Sequence, residues 1–192
     1  MVFCSSVVKV TFDFAVKQVL EQLKIVAKGD YATPSSEKRK FGNIVFAAVT
    51  LPVKDVKNLL DSLAQKNPKV EGLLKDKDMQ NSLKKAHVTL AHKRSHGVPA
   101  VASYGAYLQR DVPVGLTALL FSDQSAAFEA SVGSVDGEKI SSKNQWPHTT
   151  IWTGPGVGQR EANALPQLYS EGKATRVDIN PPVTISGTLE FY

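Results

Sequence analysis

Lys85-Ala86-His87-Val88-Thr89-Leu90-Ala91-His92 and Trp146-Pro147-His148-Thr149-Thr150-Ile151 share one pattern, His-x-Thr-aliphatic, and decide how the chain is read. The chain has four histidines, and two of them head a copy of it. Val, Thr, Leu and Ile favour extended backbone, so each copy predicts a short strand. On a strand, residues i and i+2 face the same side about 7 Å apart. Each copy therefore presents one imidazole and one hydroxyl side by side. Two such strands at neighbouring positions in a sheet would converge two imidazoles and two hydroxyls on one point.

That set of groups suits acid–base chemistry on a phosphodiester. An unperturbed imidazole titrates near pH 6.5, so a neutral and a protonated histidine are both accessible near neutrality. The neutral one takes a proton from water and the protonated one delivers a proton to the leaving oxygen. The hydroxyls of Thr89 and Thr150 donate hydrogen bonds to the non-bridging phosphate oxygens, where charge builds in the transition state. The scheme calls for no metal and no cofactor.

Outward from the two motifs, apolar periodicity predicts the other elements. On the N-terminal side these are a strand over Val7–Phe12, a helix over Ala15–Lys28 and a polar loop over Tyr31–Lys40. A buried strand follows within Phe41–Leu51, then a helix opened by Pro52 with Val53, Val56, Leu59, Leu60 and Leu63 on its inner stripe, and a short helix over Pro68–Lys75. Between the motifs come a helix over Ala100–Gln109, a hairpin of Val114–Ser122 with Ala126–Val135, and a polar loop over Glu138–Gln145. After the second motif, Gly154–Gly158 predicts a turn into a helix over Gln159–Ser170, whose N-terminus is a candidate phosphate cradle. Strands over Thr175–Ile179 and Val183–Phe191, separated by Pro181-Pro182, complete the pattern.

Composition narrows the classes. The 192 residues suffice for one domain with a core of its own. A single cysteine, Cys4, rules out an internal disulfide and thiolate zinc sites, and fits a reducing compartment, nucleus or cytoplasm. No apolar run approaches the roughly 20 residues of a membrane helix, so no membrane partner is expected. Met1–Ser6 lacks the features of a secretory signal and reads as a bare start. Residues 1–96 hold 17 Lys/Arg against 9 Asp/Glu, and residues 97–192 hold 6 against 9. The basic first half suits a polyanion such as RNA, although solvated helix faces are the stronger reading of charge alone. No GxxxxGK[ST] occurs, so a P-loop kinase activity is not carried by these residues. His92 and His96 form an HxxxH pair, but other metal ligands are lacking nearby in sequence.

The paired motifs on strands resemble the 2H phosphoesterase superfamily, and the two quoted stretches are most similar to the C-terminal cyclic phosphodiesterase domains of plant tRNA ligases. The resemblance implies an α+β, bilobal fold, with two antiparallel sheets facing a central cleft, helices outside and one His-x-Thr strand in each lobe. It implies that residues 1–192 form a single domain of two pseudo-symmetric lobes within a larger RNA ligase, beside ligase and kinase domains. The implied reaction is hydrolysis of an RNA 2',3'-cyclic phosphate, as at the ends of tRNA exon halves, to a 2'-phosphate and a 3'-hydroxyl. His148 is then the general base and His87 the general acid. Position 149 departs from the pattern, which prefers an apolar residue there.

Around the motifs, Lys85, Lys93 and Arg94 are candidates for the RNA backbone. His92, expected in a loop after the first motif with its ring turned away from His87, is a candidate to stack on the terminal base. Trp146 and Trp152 are each either a stacking platform or a core anchor, with the core favoured for Trp152. Two alternatives stand beside the main reading: another 2H activity, such as 2',5'-phosphodiester cleavage or hydrolysis of a small cyclic nucleotide, and a catalytically silent RNA-binding module.

Overall fold

A computed structural model describes residues 44–192, within a compact unit spanning Asn43–Tyr192. The strand, helix and loop expected over residues 7–40 lie outside the described residues. The buried run ahead of Pro52 forms β1 (Phe46–Thr50), whose three central residues are fully buried. Pro52 then sits in extended backbone and caps α1 (Val53–Lys66), which buries Val56, Leu59 and Leu60 on one stripe. The Asn67 side chain accepts the Lys69 N–H at 3.0 Å and starts α2 (Pro68–Asp76), with proline at the position that needs no donor. A four-residue turn, α3 (Gln80–Leu83), leads into the first motif strand, β2 (His87–His92).

Helix α4 (Lys93–Ala102) starts directly after β2, earlier than the periodicity places it, because Gly97 (φ 83°) and Pro99 disguise two helical turns joined at a kink. A 3-10 turn over Ser103–Tyr107 leads to the hairpin of β3 (Asp111–Phe121) and β4 (Ser125–Val132). The expected loop after it contains a two-residue strand, β6 (Glu138–Lys139), paired with β5 (Ser134–Val135). The second motif strand is β7 (His148–Thr153). The helix expected over Gln159–Ser170 is a 3-10 turn, Gln159–Ala164, followed by the short α5 (Leu165–Ser170). With no α-helix starting after Gly158, the expected phosphate cradle is not formed there.

Strand β8 (Thr175–Phe191) corrects the expectation of two separate sheets facing a cleft. It pairs with β3 along most of its length and with β1 at its end, and the strands close into one antiparallel barrel in the order β1-β2-β7-β4-β3-β8. Pro181 and Pro182 do not end the strand. They fall in the four residues Ile179–Pro182 that bulge out of the β3 ladder opposite Thr117, where no backbone donor is required. Where β8 passes from β3 to β1, Gly187 allows a close approach: a Cβ there would stand 2.6 Å from the Thr50 carbonyl oxygen.

The barrel closes between the two motif strands through one residue pair, Val88 with Thr149. Both side chains are fully buried, and Val88 belongs to the main apolar core, which it shares with Val56, Leu60, Leu119, Phe128 and Leu189. Alternation then turns His87, Thr89, His148 and Thr150 to the other face of the sheet.

Candidate active site

In an antiparallel pair centred on Val88 and Thr149, one step either way sets His87 across from Thr150 and Thr89 across from His148. The two histidines occupy one diagonal of this square and the two threonines the other. All four side chains are half-buried. The structure thus brings together the four residues that the motifs single out.

Each histidine has the same local support. His87 Nδ1 lies 2.7 Å from the Lys85 carbonyl oxygen, and His148 Nδ1 lies 2.9 Å from that of Trp146. A carbonyl only accepts, so Nδ1 carries the hydrogen in both rings and Nε2 is left as the atom that exchanges a proton. Burial pushes both imidazoles below their ordinary pKa of 6.5, against the carbonyl contacts, which raise it. A charge on His87 lowers His148 further, so protonating one histidine disfavours protonating the other. One neutral and one charged ring is the arrangement that acid–base catalysis requires.

A β-bulge follows the threonine in each motif strand. Opposite β1, Ala47 and Ala48 pair with Ala91 and Thr89, which leaves Leu90 as the extra residue. Opposite β4, Ala126 and Ala127 pair with Trp152 and Thr150, which leaves Ile151 as the extra one. The bulges shift the parity of the residues beyond them. His92 returns to the side of His87 instead of pointing away, and the Phe46 ring stacks on both, at 5.2 Å from His87 and 6.0 Å from His92. Nor does His92 lie in a loop: it ends β2, and its Nδ1 accepts the Arg94 N–H at 3.1 Å as the cap of α4. Its backbone N–H bonds to Nδ1 of His96. In β7 the same shift turns Trp152 into the apolar core, where it is 6% exposed with the Lys77 ammonium 4.8 Å from its ring. Trp152 is therefore a core anchor and not a substrate platform. Its neighbour Thr153, half-buried, takes the place equivalent to His92.

The basic candidates divide. Lys85 contributes its carbonyl to His87, while its side chain is exposed, as are those of Lys93 and Arg94 at the start of α4. Burial lowers the His92 pKa, and the charges of Arg160, His96 and Arg94 lower it further, so cationic groups collect on this side.

Several site residues escape sequence reading. Past Val88, the backbone carbonyls of β2 are taken up by the loop ahead of β7. Ser142 Oγ donates to the Thr89 carbonyl at 2.8 Å, and the Lys143 N–H donates to that of Leu90 at 2.7 Å. Tyr104, buried under this loop, donates to the Ser141 carbonyl at 2.7 Å. Beside the second motif, Glu129 stands across from His148 on β4 and receives Arg176, Trp146 and Thr117. Beside the first, Thr50 stands across from His87 and donates to Glu190 at 2.6 Å, and Tyr192 donates to the same oxygen at 2.7 Å. The one signal available in sequence is Glu129 itself, a charge in the middle of the otherwise uncharged β4.

Two His-x-Thr strands, paired at Val88 and Thr149 and each holding its histidine by Nδ1 against a carbonyl, form one two-histidine site. Over 189 residues, 97% of its length, the chain is 58% identical to tRNA ligase 1 of Arabidopsis thaliana. It is a homologue of that tRNA ligase and spans 17% of the relative's length. No protein-family model matches the chain. Among solved structures, a fungal RNA kinase shares the fold with a TM-score of 0.54 at 14% identity, over 82% of this chain and 47% of that one.

Proposed function

We propose that this chain hydrolyses RNA 2',3'-cyclic phosphate ends to a 2'-phosphate and a 3'-hydroxyl. The observation that carries the proposal is the diagonal pair His87 and His148, each with Nδ1–H held by a carbonyl and Nε2 left to exchange. His148 Nε2 takes a proton from water as the water oxygen bonds to phosphorus. The P–O3' bond breaks, and O3' takes a proton from protonated His87 Nε2. Exchange with solvent then resets the two rings. The diagonal suits an in-line displacement, in which base and acid stand on opposite sides of phosphorus. Thr89 and Thr150, on the other diagonal, donate to the non-bridging oxygens. The reaction so written needs no metal or cofactor.

Homology to a tRNA ligase supports RNA as the substrate and end-processing in tRNA splicing or repair as the setting, in nucleus or cytoplasm. The relative's greater length supports ligase and kinase domains as partners on one polypeptide. Lys93, Arg94 and His92, at the cationic edge of the site, would receive the RNA strand.

The test is incubation with a short RNA ending in a 2',3'-cyclic phosphate, in EDTA, with product identification by phosphorus NMR and a 2',3'-cyclic mononucleotide in parallel. A 2'-phosphate formed faster on RNA is expected. A 3'-phosphate would overturn the assignment of the leaving oxygen, preference for the mononucleotide would overturn the RNA assignment, and RNA bound without turnover would point to a silent binding module.

A further inference from the structure

Trp146 meets His148 twice. Its carbonyl oxygen takes the Nδ1–H, and its indole lies against the imidazole with ring centres 4.4 Å apart and planes 19° from parallel. The indole is itself anchored: its N–H donates to Glu129 Oε2 at 3.0 Å. That carboxylate is held in turn. Arg176 grips both oxygens at 2.9 Å, and Thr117 donates to Oε1 at 2.8 Å. A second carboxylate, Asp178, fixes the guanidinium from behind at 2.7 Å. A bidentate, charge-assisted pair is directional and holds a plane as well as a distance. The chain of contacts Asp178, Arg176, Glu129, Trp146 therefore ends on one face of the His148 ring. The indole also packs against the second apolar cluster, which includes Ala127, Ala162 and Leu165. With its N–H used and its ring engaged on His148 and this cluster, Trp146 is poorly placed to serve as a platform for a base.

We propose that Trp146, tethered through Glu129 to Arg176, is the positioning residue that fixes the ring plane of His148 and so aims Nε2 at the attacking water. The proposal rests on His148 acting as the base. His87 stacks on Phe46 and Tyr192 instead, so the tether serves the second motif alone and the first is an internal control.

The variants Trp146→Phe, which keeps an aromatic face but loses the tether, and Trp146→Ala are compared by kinetics and by NMR titration of the histidines without substrate. A misplacement of order 1 Å can cost about 100-fold in rate. Trp146→Ala is expected to lower kcat by about that factor and Trp146→Phe by roughly a tenth of it, with KM within about twofold in both. In the NMR arm, Trp146→Ala moves the His148 titration up toward its ordinary value and mixes its tautomers, while His87 stays in place. If the alanine variant does not fold, the phenylalanine variant is read by itself. A raised KM with unchanged kcat, or a kcat and a His148 titration like those of the unmutated chain, would overturn the proposal. If the unmutated chain shows no turnover yet the His148 titration still moves, the phosphodiesterase reading fails, and with it the aiming at water, while the hold of Trp146 on the His148 ring stands.

Discussion

Thr149 is the fully buried member of the pair that closes the barrel, and its hydroxyl has no hydrogen-bond partner among the described residues. Its counterpart in the first motif is Val88, also fully buried. The substitution Thr149→Val keeps a β-branched side chain of nearly the same shape, so backbone preference is unchanged. It removes an unsatisfied buried hydroxyl, which costs about 1–3 kcal/mol, and buries a methyl in its place. With part of this lost to imperfect packing, a net stabilisation of about 1–2 kcal/mol is expected, or about 2–8 °C in Tm for a domain of this size. Thermal and urea unfolding read the gain, and activity should stay within about twofold because the side chain faces away from the histidines. The control is Thr150→Val, the same chemical change one residue on: it should leave Tm nearly unmoved and remove most of the activity. A Thr149→Val variant less stable than the unmutated chain would refute the reasoning, because the hydroxyl must then have a partner that is lost.

Three further outcomes follow from the geometry. Because burial lowers both His87 and His148 below 6.5, kcat/KM should be bell-shaped with apparent pKa values belonging to the pair and a maximum below pH 6.5; a maximum at pH 7 or above would contradict this. Glu129, held chiefly by Arg176, has its pKa drawn down from 4.5 to about 2, so the native state binds fewer protons there than the unfolded chain. After solvent screening of a pair about a quarter exposed, this contributes on the order of 1–2 kcal/mol above pH 4.5, lost as pH falls toward 2. The stability gap between the unmutated chain and Glu129→Gln, measured by urea unfolding, should therefore narrow over that interval, and a gap independent of pH would count against the pair. Gly187→Ala places a Cβ 2.6 Å from both the Thr50 carbonyl oxygen and Val49 Cγ1, which should cost about 3 kcal/mol, whereas Gly158→Ala, with nothing within 4 Å, should cost almost none; equal Tm values would show that β8 can move away from β1.

Contact range separates the features that are legible in the sequence from those that are hidden. The motif strands are legible because His-Val-Thr-Leu and His-Thr-Thr-Ile alternate in the way a half-buried strand does, and the identical burial of the two strands bears this out. The bulges are not legible, because they are set by the partner strands, and they decide where His92 and Trp152 point. Barrel closure is hidden for a related reason. Two adjacent prolines read as a break, whereas the strand runs through them by bulging out of its ladder. Arg176 and Glu129 meet only once β3, β4 and β8 lie side by side, so nothing local to either residue announces the pair. Trp146 is visible as a neighbour of the motif, but its task depends on that long-range contact.

The most direct test of the account is the rate on an RNA 2',3'-cyclic phosphate for His87→Ala, His148→Ala and the double variant. Residues that act as one unit are not additive. Each single variant should lose about 100-fold or more, and the double variant little beyond the worse single one. Either single variant keeping more than about a tenth of the unmutated rate would contradict a two-histidine mechanism.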